Sequence, residues 1–166
     1  MYNDCWGETG WSILDYYLRR KASYYWFKRA AKPLKIICRK RRNKFVTRLI
    51  NDTLEPFAGF VDAGWHRLDG SEQRIITHKI KLGSNSMAEV IRSDIEQEYT
   101  GQKSQWLFAA VLRNTEGIVI DQSIQTLTVY REMALSKPEL SIKNLGSNAY
   151  EVSSHVFCHA LYVDDH

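Results

Sequence analysis

Within residues 74–82, apolar and polar residues alternate from Ile76 onward in the manner of a half-buried β-strand. One side is mainly apolar and the other polar: Ile76, His78, Ile80 and Leu82 against Thr77, Lys79 and Lys81. Residues 59–68 are also rich in apolar residues, and Asp69-Gly70 between the two segments is a turn signal typical of β-hairpins. We therefore predict that these two segments are paired antiparallel strands.

Further short strands are predicted along most of the remaining chain. Residues 34–39 and 44–50 predict a second hairpin, with Asn43 at its tip because asparagine tolerates positive φ. The other predicted strands lie at residues 87–95, 105–112, 118–130, 140–142, 150–152 and 156–163, and the nearly continuous apolar run at 105–112 suits a central strand. Several short strands separated by turn residues are typical of an antiparallel sandwich.

The first 32 residues have a different pattern, which is rich in aromatic residues. Residues 21–32 predict an amphipathic helix, and Pro33 ends it because the residue before a proline avoids helical backbone angles. The two faces of the helix are formed by Ser23, Trp26, Phe27, Ala30 and Ala31, and by Lys21, Lys28 and Lys32. A short strand at residues 1–4 and a loop at 5–15 precede it. This is one unit of a parallel β/α structure, which cannot bury its apolar surfaces alone.

Motifs in this first region resemble those of a known enzyme family. The motifs are Asn3-Asp4-Cys5-Trp6, Trp11-Ser12, Asp15-Tyr16-Tyr17 and Lys-x-x-Tyr-Tyr-x-x-Lys-Arg-Ala at residues 21–30. Together they resemble the end of the catalytic barrel in β-mannosidase-like members of glycoside hydrolase family 2. Residues 49–56, Leu-Ile-Asn-Asp-Thr-Leu-Glu-Pro, resemble the line that opens the immunoglobulin-like domain after that barrel. Gly7 replaces a frequent proline and residues 18–21 replace Gly-Arg-Pro-Lys, which affects only the local loop and the helix start.

The resemblance implies a mainly β chain: an immunoglobulin-like antiparallel β-sandwich preceded by the last β/α unit of a TIM barrel. The implied domains are residues 1–32, the last strand, loop and helix of the barrel; residues 33–135, the sandwich; and residues 136–166, the opening strands of a second, truncated sandwich. The implied function is the C-terminal, non-catalytic portion of a retaining exo-β-mannosidase-like hydrolase, which removes terminal β-linked mannose or a related sugar.

The resemblance also implies which residues contact the sugar. Barrel loops of this kind face the active site, and a tryptophan face suits the apolar side of a sugar ring. Trp6 is accordingly expected to wall the sugar subsite while Asn3 and Asp4 hold the strand end; the alternative for Trp6 is a core position between barrel and sandwich. No catalytic residue is assigned, because both family glutamates lie on earlier barrel strands. Asp4 and Asp15 are expected to brace loop backbone, and Glu8 lies in a turn. No cofactor is implied.

Composition and charge narrow the alternatives. Of the 166 residues, 44% are hydrophobic and 25% are charged, and this composition excludes a disordered or collagen-like chain. The net charge of +4 is too small to require a polyanionic partner. Seven bases cluster near the first hairpin: Lys32, Lys35, Arg39, Lys40, Arg41, Arg42 and Lys44. Without interleaved aromatic residues they are better explained as solvated charges that protect a sheet edge than as a nucleic-acid or anionic-glycan site.

The expected partners are therefore a β-mannoside-type carbohydrate in the complete enzyme and the remainder of the catalytic barrel, with no nucleic acid and no membrane. Cys5, Cys38 and Cys158 lack the spacing of a disulfide framework or zinc site and are predicted to be reduced. His155 and His159 would share one face of a strand but lack a third ligand, so no metal site is predicted. The alternative function is a free-standing carbohydrate-binding or protein-interaction β-sandwich, and a basic nucleic-acid-binding β protein is a third hypothesis.

Overall fold

The computed structural model describes residues 12–95, 101–147, 149–159 and 161, which fall into two compact units. One unit contains the described residues up to Pro33 and includes the helix α1 (Ala22–Ala30). The other runs from Leu34 to Leu161 and is built from strands. Nine strands lie in the described residues: β1 (Leu34–Arg41), β2 (Lys44–Asn51), β3 (Phe57–Arg67), β4 (Gln73–Leu82), β5 (Ser86–Asp94), β6 (Trp106–Asn114), β7 (Val119–Thr126), β8 (Ser141–Gly146) and β9 (Ala149–Ser153).

Seven of these strands form the antiparallel sandwich that the sequence predicts. One sheet has the order β1-β2-β5 and the other has the order β4-β3-β6-β7, and every pairing is antiparallel. Strands β4 and β5 are consecutive but belong to different sheets, so the chain crosses from one layer to the other at residues 83–85. The apolar strand β6 is central, between β3 and β7, as its unbroken hydrophobic run predicts.

Three aromatic side chains join the two sheets in the core. Phe45 of β2 lies with its ring centroid 5.1 Å from that of Phe108 and 5.5 Å from that of Trp65, and all three side chains are buried. Trp65 and Phe108 belong to neighbouring strands of the opposite sheet and meet edge to face at 5.4 Å. Ring pairs of this geometry add to the stabilisation from burial of their apolar area.

The free edge of β1 is closed by side chains of β7. The backbone N–H of Ile36 donates to Oδ2 of Asp121 at 3.0 Å, and the backbone N–H of Cys38 donates to Oγ of Ser123 at 2.9 Å. These bonds cap two donors that a strand edge would otherwise leave unpaired. The sandwich is thus joined along this side by side chains as well as by its core.

The hairpin predictions are confirmed, with one correction at a tip. Strands β3 and β4 pair as predicted, around a turn in which Gly70 has a φ of 75°. Strands β1 and β2 also pair as predicted, but the residue with positive φ is Arg42, at 56°, and not Asn43. A positive φ at the first central residue alone is the pattern of a type II′ turn. In β4 the alternation begins only at His78, because Ile76 is exposed.

The predicted helix and the last strands need small corrections. The helix predicted for residues 21–32 spans Ala22–Ala30. The strand predicted to continue to Tyr130 ends at Thr126, whose Oγ1 donates to the backbone oxygen of Thr128, and a short 3₁₀ helix follows at Tyr130–Glu132. The strands predicted at residues 140–142 and 150–152 are present as β8 and β9, and the structure shows that they pair antiparallel.

The strand predicted at residues 156–163 is wrong for its described residues, since 156–159 are not in a strand. The apolar content of this segment has another cause. Phe157 packs against a cluster of Leu68, Leu107 and Met133, and its backbone N–H donates to the oxygen of Leu68 at 2.8 Å. These residues therefore cover one end of the four-stranded sheet. The predicted domain boundary between residues 135 and 136 stays a prediction.

Candidate functional site

The three residues predicted to contact the sugar, Asn3, Asp4 and Trp6, lie outside the described residues. Cys5, Glu8 and Trp11 also lie outside them. The assignment of Trp6 to a sugar subsite therefore stays a prediction, and the geometry of the first region is known from Ser12 onward.

Asp15 braces the loop that leads into α1, as predicted. Its carboxylate accepts from the backbone N–H of Arg19 at 2.8 Å and from Nε of the same residue at 2.7 Å. Burial opposes ionisation of Asp15, but the hydrogen bonds and positive charge of Arg19 outweigh it, so the pKa of the Asp15 carboxyl is lowered. A general acid in glycoside hydrolysis needs a raised pKa. Asp15 is thus suited to hold the loop and not to donate a proton.

A chain of hydrogen bonds closes the same loop. Lys21 donates from Nζ to Oγ of Ser12 at 3.1 Å, and Ser12 donates from Oγ to the backbone oxygen of Leu14 at 2.6 Å. Leu14 forms an isolated antiparallel bridge with Arg20, and both Ser12 and Leu14 are buried. The loop thus has a defined closed conformation directly before α1 begins.

Four aromatic side chains among the described residues of this first unit are exposed. In α1 no residue is buried, and Trp26 and Phe27 are 56% and 59% exposed. Tyr16 and Tyr17 in the preceding loop are exposed as well. The guanidinium of Arg29 lies over the ring of Trp26, with its Cζ 4.5 Å from the ring centroid. Exposed aromatic and arginine side chains are characteristic of surfaces that contact another macromolecule.

The second family-like motif, residues 49–56, has a structural role centred on Asn51. The fully buried side chain of Asn51 makes four hydrogen bonds. Nδ2 donates to the backbone oxygens of Glu55 at 2.8 Å and Gly83 at 2.9 Å, while Oδ1 accepts from the backbone N–H of Thr53 at 3.1 Å and its Oγ1 at 2.6 Å. Asn51 therefore ties the β2–β3 loop to the β4–β5 crossover. The sequence signal for this was present, since asparagine after a strand often bonds to backbone two residues on.

The sandwich offers no exposed tryptophan as a platform for sugars. Trp65 and Trp106 are the two tryptophans between Leu34 and Leu161, and both are buried. The guanidinium carbons of Arg67 and Arg74 lie 5.8 and 5.4 Å from the ring centroid of Trp106. The free-standing carbohydrate-binding alternative depends on accessible aromatic faces, and these two rings do not provide them.

The remaining candidates for chemistry have structural environments. Burial raises the pKa of the Cys38 thiol to about 11, which keeps it neutral and unreactive. The ring of His159 stacks on Tyr130 at 3.9 Å, and the strand that would have aligned it with His155 is not formed. In the part of the chain that the structure describes, no three His, Cys, Asp or Glu side chains are placed to bind a metal ion. Among the same residues no helix is both long and apolar enough to cross a membrane.

Comparison with known proteins gives one consistent set of relatives. No family model matches the chain. Beta-mannosidase B of Thermothelomyces thermophilus is 28% identical in an alignment 177 positions long, which covers 93% of this chain and 21% of that protein. Beta-mannosidase B of Emericella nidulans is 44% identical over 41 residues, 25% of this chain and 5% of that protein.

Solved structures agree with the sequence comparison. The β-D-mannosidase of Dictyoglomus thermophilum matches with a TM-score of 0.81 and 29% identity, covering 93% of this chain and 19% of that chain. An exo-chitosanase of Amycolatopsis orientalis shares the fold, with a TM-score of 0.60 and 21% identity over 95% of this chain and 17% of that one. The chain spans about a fifth of the length of the mannosidases that it matches along most of its own length. The chain is therefore similar to β-mannosidases along 93% of its own length, in both sequence and structure.

Proposed function

We propose that this chain supplies the C-terminal, non-catalytic portion of a retaining exo-β-mannosidase-like glycoside hydrolase. The complete enzyme would hydrolyse terminal β-linked mannose or a related sugar. The observation that carries the proposal is the similarity to β-mannosidases along 93% of the chain, in both sequence and structure. Because this similarity covers nearly the whole chain, it supports a part of a larger enzyme over a free-standing sandwich module.

The division of labour follows from the chemistry of retaining hydrolysis. That reaction requires two carboxyl groups about 5 to 5.5 Å apart, one as nucleophile and one as acid and base. We place both in the rest of the enzyme, because the family glutamates have no counterpart in this sequence and both carboxylate oxygens of Asp15 are bonded to Arg19. Residues 1–32 would complete the barrel, residues 33–135 form the sandwich, and residues 136–166 open the next one.

Within the complete enzyme, Trp6 would contact the sugar and Asn3 and Asp4 would hold the strand end beneath it. A ring that helps to distort the sugar acts mainly in the transition state, so Trp6→Ala should lower kcat for an aryl β-mannoside more than it changes KM. The pH profile, which reports the two glutamates, should keep its shape. Unchanged kcat and KM would place Trp6 in a structural role.

The proposal is tested directly by complementation. The chain alone should not hydrolyse an aryl β-mannoside, but it should restore hydrolysis when added to a β-mannosidase from which the matched segment has been removed. Trp26→Ser with Phe27→Ser should weaken this restoration, because these side chains form the exposed aromatic face of α1. Tyr150→Ser is the matched control, since Tyr150 is an equally exposed aromatic residue in β9. Hydrolysis by the chain alone that responds to mutation would overturn the proposal.

Hydrogen exchange measures whether α1 depends on the rest of the enzyme. A helix of nine residues is shorter than the roughly 12 to 15 residues needed for independent stability, and α1 buries none of its side chains. Amides at residues 24–29 should therefore exchange much faster than those at residues 106–112 in the monomeric chain. Equal protection of the two segments would show that α1 is stable without a further partner.

A further inference from the structure

The outward face of the three-stranded sheet combines an apolar floor with arginine side chains. Because side chains alternate along a strand, the residues between the core positions of β1, β2 and β5 point away from the core. We call this surface the arginine face, and define it by Ile37, Arg39, Arg41, Val46, Arg48, Ile50, Met87 and Arg92. The cluster of basic residues in the β1–β2 hairpin is apparent from the sequence. Arg48 and Arg92 lie on the same face as this cluster only because β1, β2 and β5 pair side by side.

Two adjoining grooves run across the arginine face. One has a volume of about 460 Å³ and is lined by Arg39, Arg41 and Arg48 around Ile37, Val46, Ile50 and Met87. The other has a volume of about 420 Å³ and is lined by Arg41, Arg42 and Arg92, again with Val46. Since Arg41 and Val46 line both, the grooves form one continuous surface.

The positive charge on this surface is only partly neutralised. Arg92 pairs with Glu89 at 2.5 Å, Arg48 approaches the same carboxylate at 4.0 Å, and Lys44 pairs with Asp94 at 3.1 Å. In contrast, no carboxylate of the described residues lies within 4.0 Å of the bases at positions 39–42. Four consecutive uncompensated charges therefore lie beside the grooves, in a chain whose net charge is +4.

Arg42 lies at the β1–β2 turn beside this surface, and its φ of 56° is the one that its turn position requires.

We propose that the arginine face binds an extended acidic segment of another polypeptide, one that alternates carboxylate and apolar side chains. Guanidinium groups pair with carboxylates through two parallel hydrogen bonds, and the apolar floor requires apolar side chains on the partner. No aromatic side chain points outward from β1, β2 or β5, since Phe45 is fully buried, so bases and sugar rings find no stacking surface. This proposal goes beyond the proposed function and does not depend on it.

Fluorescence anisotropy with a labelled peptide of repeating Leu-Glu tests the proposal on the full chain. This peptide should bind, and the same peptide with glutamine in place of glutamate should not. Arg39→Gln with Arg41→Gln should weaken binding about tenfold or more, and added salt should weaken it further. Lys79→Gln with Lys81→Gln is the matched control, because it removes the same charge from exposed positions of β4 and should leave binding unchanged.

A second variant separates a peptide site from a simple polyanion surface. Met87 is 59% exposed on the groove floor, so Met87→Asn should weaken peptide binding without affecting the fold. A heparin oligosaccharide and single-stranded DNA serve as competing probes. The proposal is overturned if no peptide binds, if the control variant loses as much affinity as the arginine variant, or if either polyanion binds more tightly than the peptide and Met87→Asn has no effect.

Discussion

Replacement of Asn51 by alanine should destabilise the sandwich strongly, although Asn51 lies at the edge of a loop. The side chain is fully buried at the end of β2, and both its amide nitrogen and its oxygen are bonded. Alanine would leave the backbone oxygens of Glu55 and Gly83 and the N–H of Thr53 without these partners. The loop between β2 and β3 would then lose its connection to the crossover between β4 and β5.

The expected magnitude follows from these four hydrogen bonds. Each contributes about 1 kcal/mol net, and a buried polar group that loses its partner costs about 1 to 3 kcal/mol. Thr53 can still donate from Oγ1 to the oxygen of Glu55, a bond already present at 3.0 Å, and this part of the loop is accessible to water. We therefore expect Asn51→Ala to lower the free energy of unfolding by about 3 kcal/mol, a large part of the stability of an ordinary domain.

Urea denaturation followed by the fluorescence of buried Trp65 and Trp106 provides the measurement. The midpoint should fall while the m-value stays constant, because the area exposed on unfolding hardly changes. Leu54→Ala is the control in the same loop, since Leu54 is 82% exposed and should matter by less than about 0.5 kcal/mol. If Asn51→Ala also changes stability by less than about 0.5 kcal/mol, the bonds of Asn51 are not what holds the crossover.

Three further outcomes are expected. Gly64→Ala should prevent native pairing of β3 and β4, because its Cβ would collide with the backbone oxygen of Arg74. At Gly117 a Cβ meets open space, so Gly117→Ala should lower the free energy of unfolding by only about 1 kcal/mol, for its φ of 85°. Circular dichroism and thermal melting distinguish the two variants. Asp121→Ala should lower stability by about 2 kcal/mol in urea denaturation, because it uncaps β1 with the loss of a charged acceptor. Burial raises the pKa of the Cys38 thiol from 9.0 to about 11 in the folded protein. The neutral thiol therefore contributes fully to the free energy of unfolding below pH 9, and this contribution is lost as the pH rises from 9 to 11. The stability difference between the protein and Cys38→Ala should shrink across that range, and an unchanged difference would contradict it.

The strand pairing was predictable because the controlling interactions are local. Asp69-Gly70 selects a tight turn, and the alternation around Ile80 fixes which face of β4 is buried. At the β1–β2 hairpin the position of the turn was predicted correctly. The preference of asparagine for positive φ pointed to Asn43, but the residue with positive φ is Arg42. The predicted strands left residues 40–43 between them, but Arg41 pairs with Lys44, so neither the length of this turn nor the central residue with the unusual backbone angle was predicted.

The parts that sequence reasoning missed depend on contacts between distant residues. Asp121 caps the backbone of Ile36 across 85 positions of sequence, and no pattern near either residue indicates it. The segment around Phe157 was apolar enough to predict a strand, yet its side chain packs against Leu68 and Met133. The apolar content of the segment around Phe157 predicts contact with a core, but only the fold decides whether such a segment also forms a strand.

Two of the motifs behind the family resemblance, at residues 49–56 and 21–30, differ in what they contribute to this chain by itself. Around Asn51 the polar groups are satisfied within the sandwich, so that motif stabilises the chain with or without a larger enzyme. The motif in α1 is the opposite, because Trp26 and Phe27 expose more than half of their side chains. Covering about 100 Å² of each ring would yield about 2.5 kcal/mol apiece, comparable to the deficit of a helix this short. The sandwich motif thus requires no partner, whereas Trp26 and Phe27 of the helix motif would gain further stabilisation when another surface covers them.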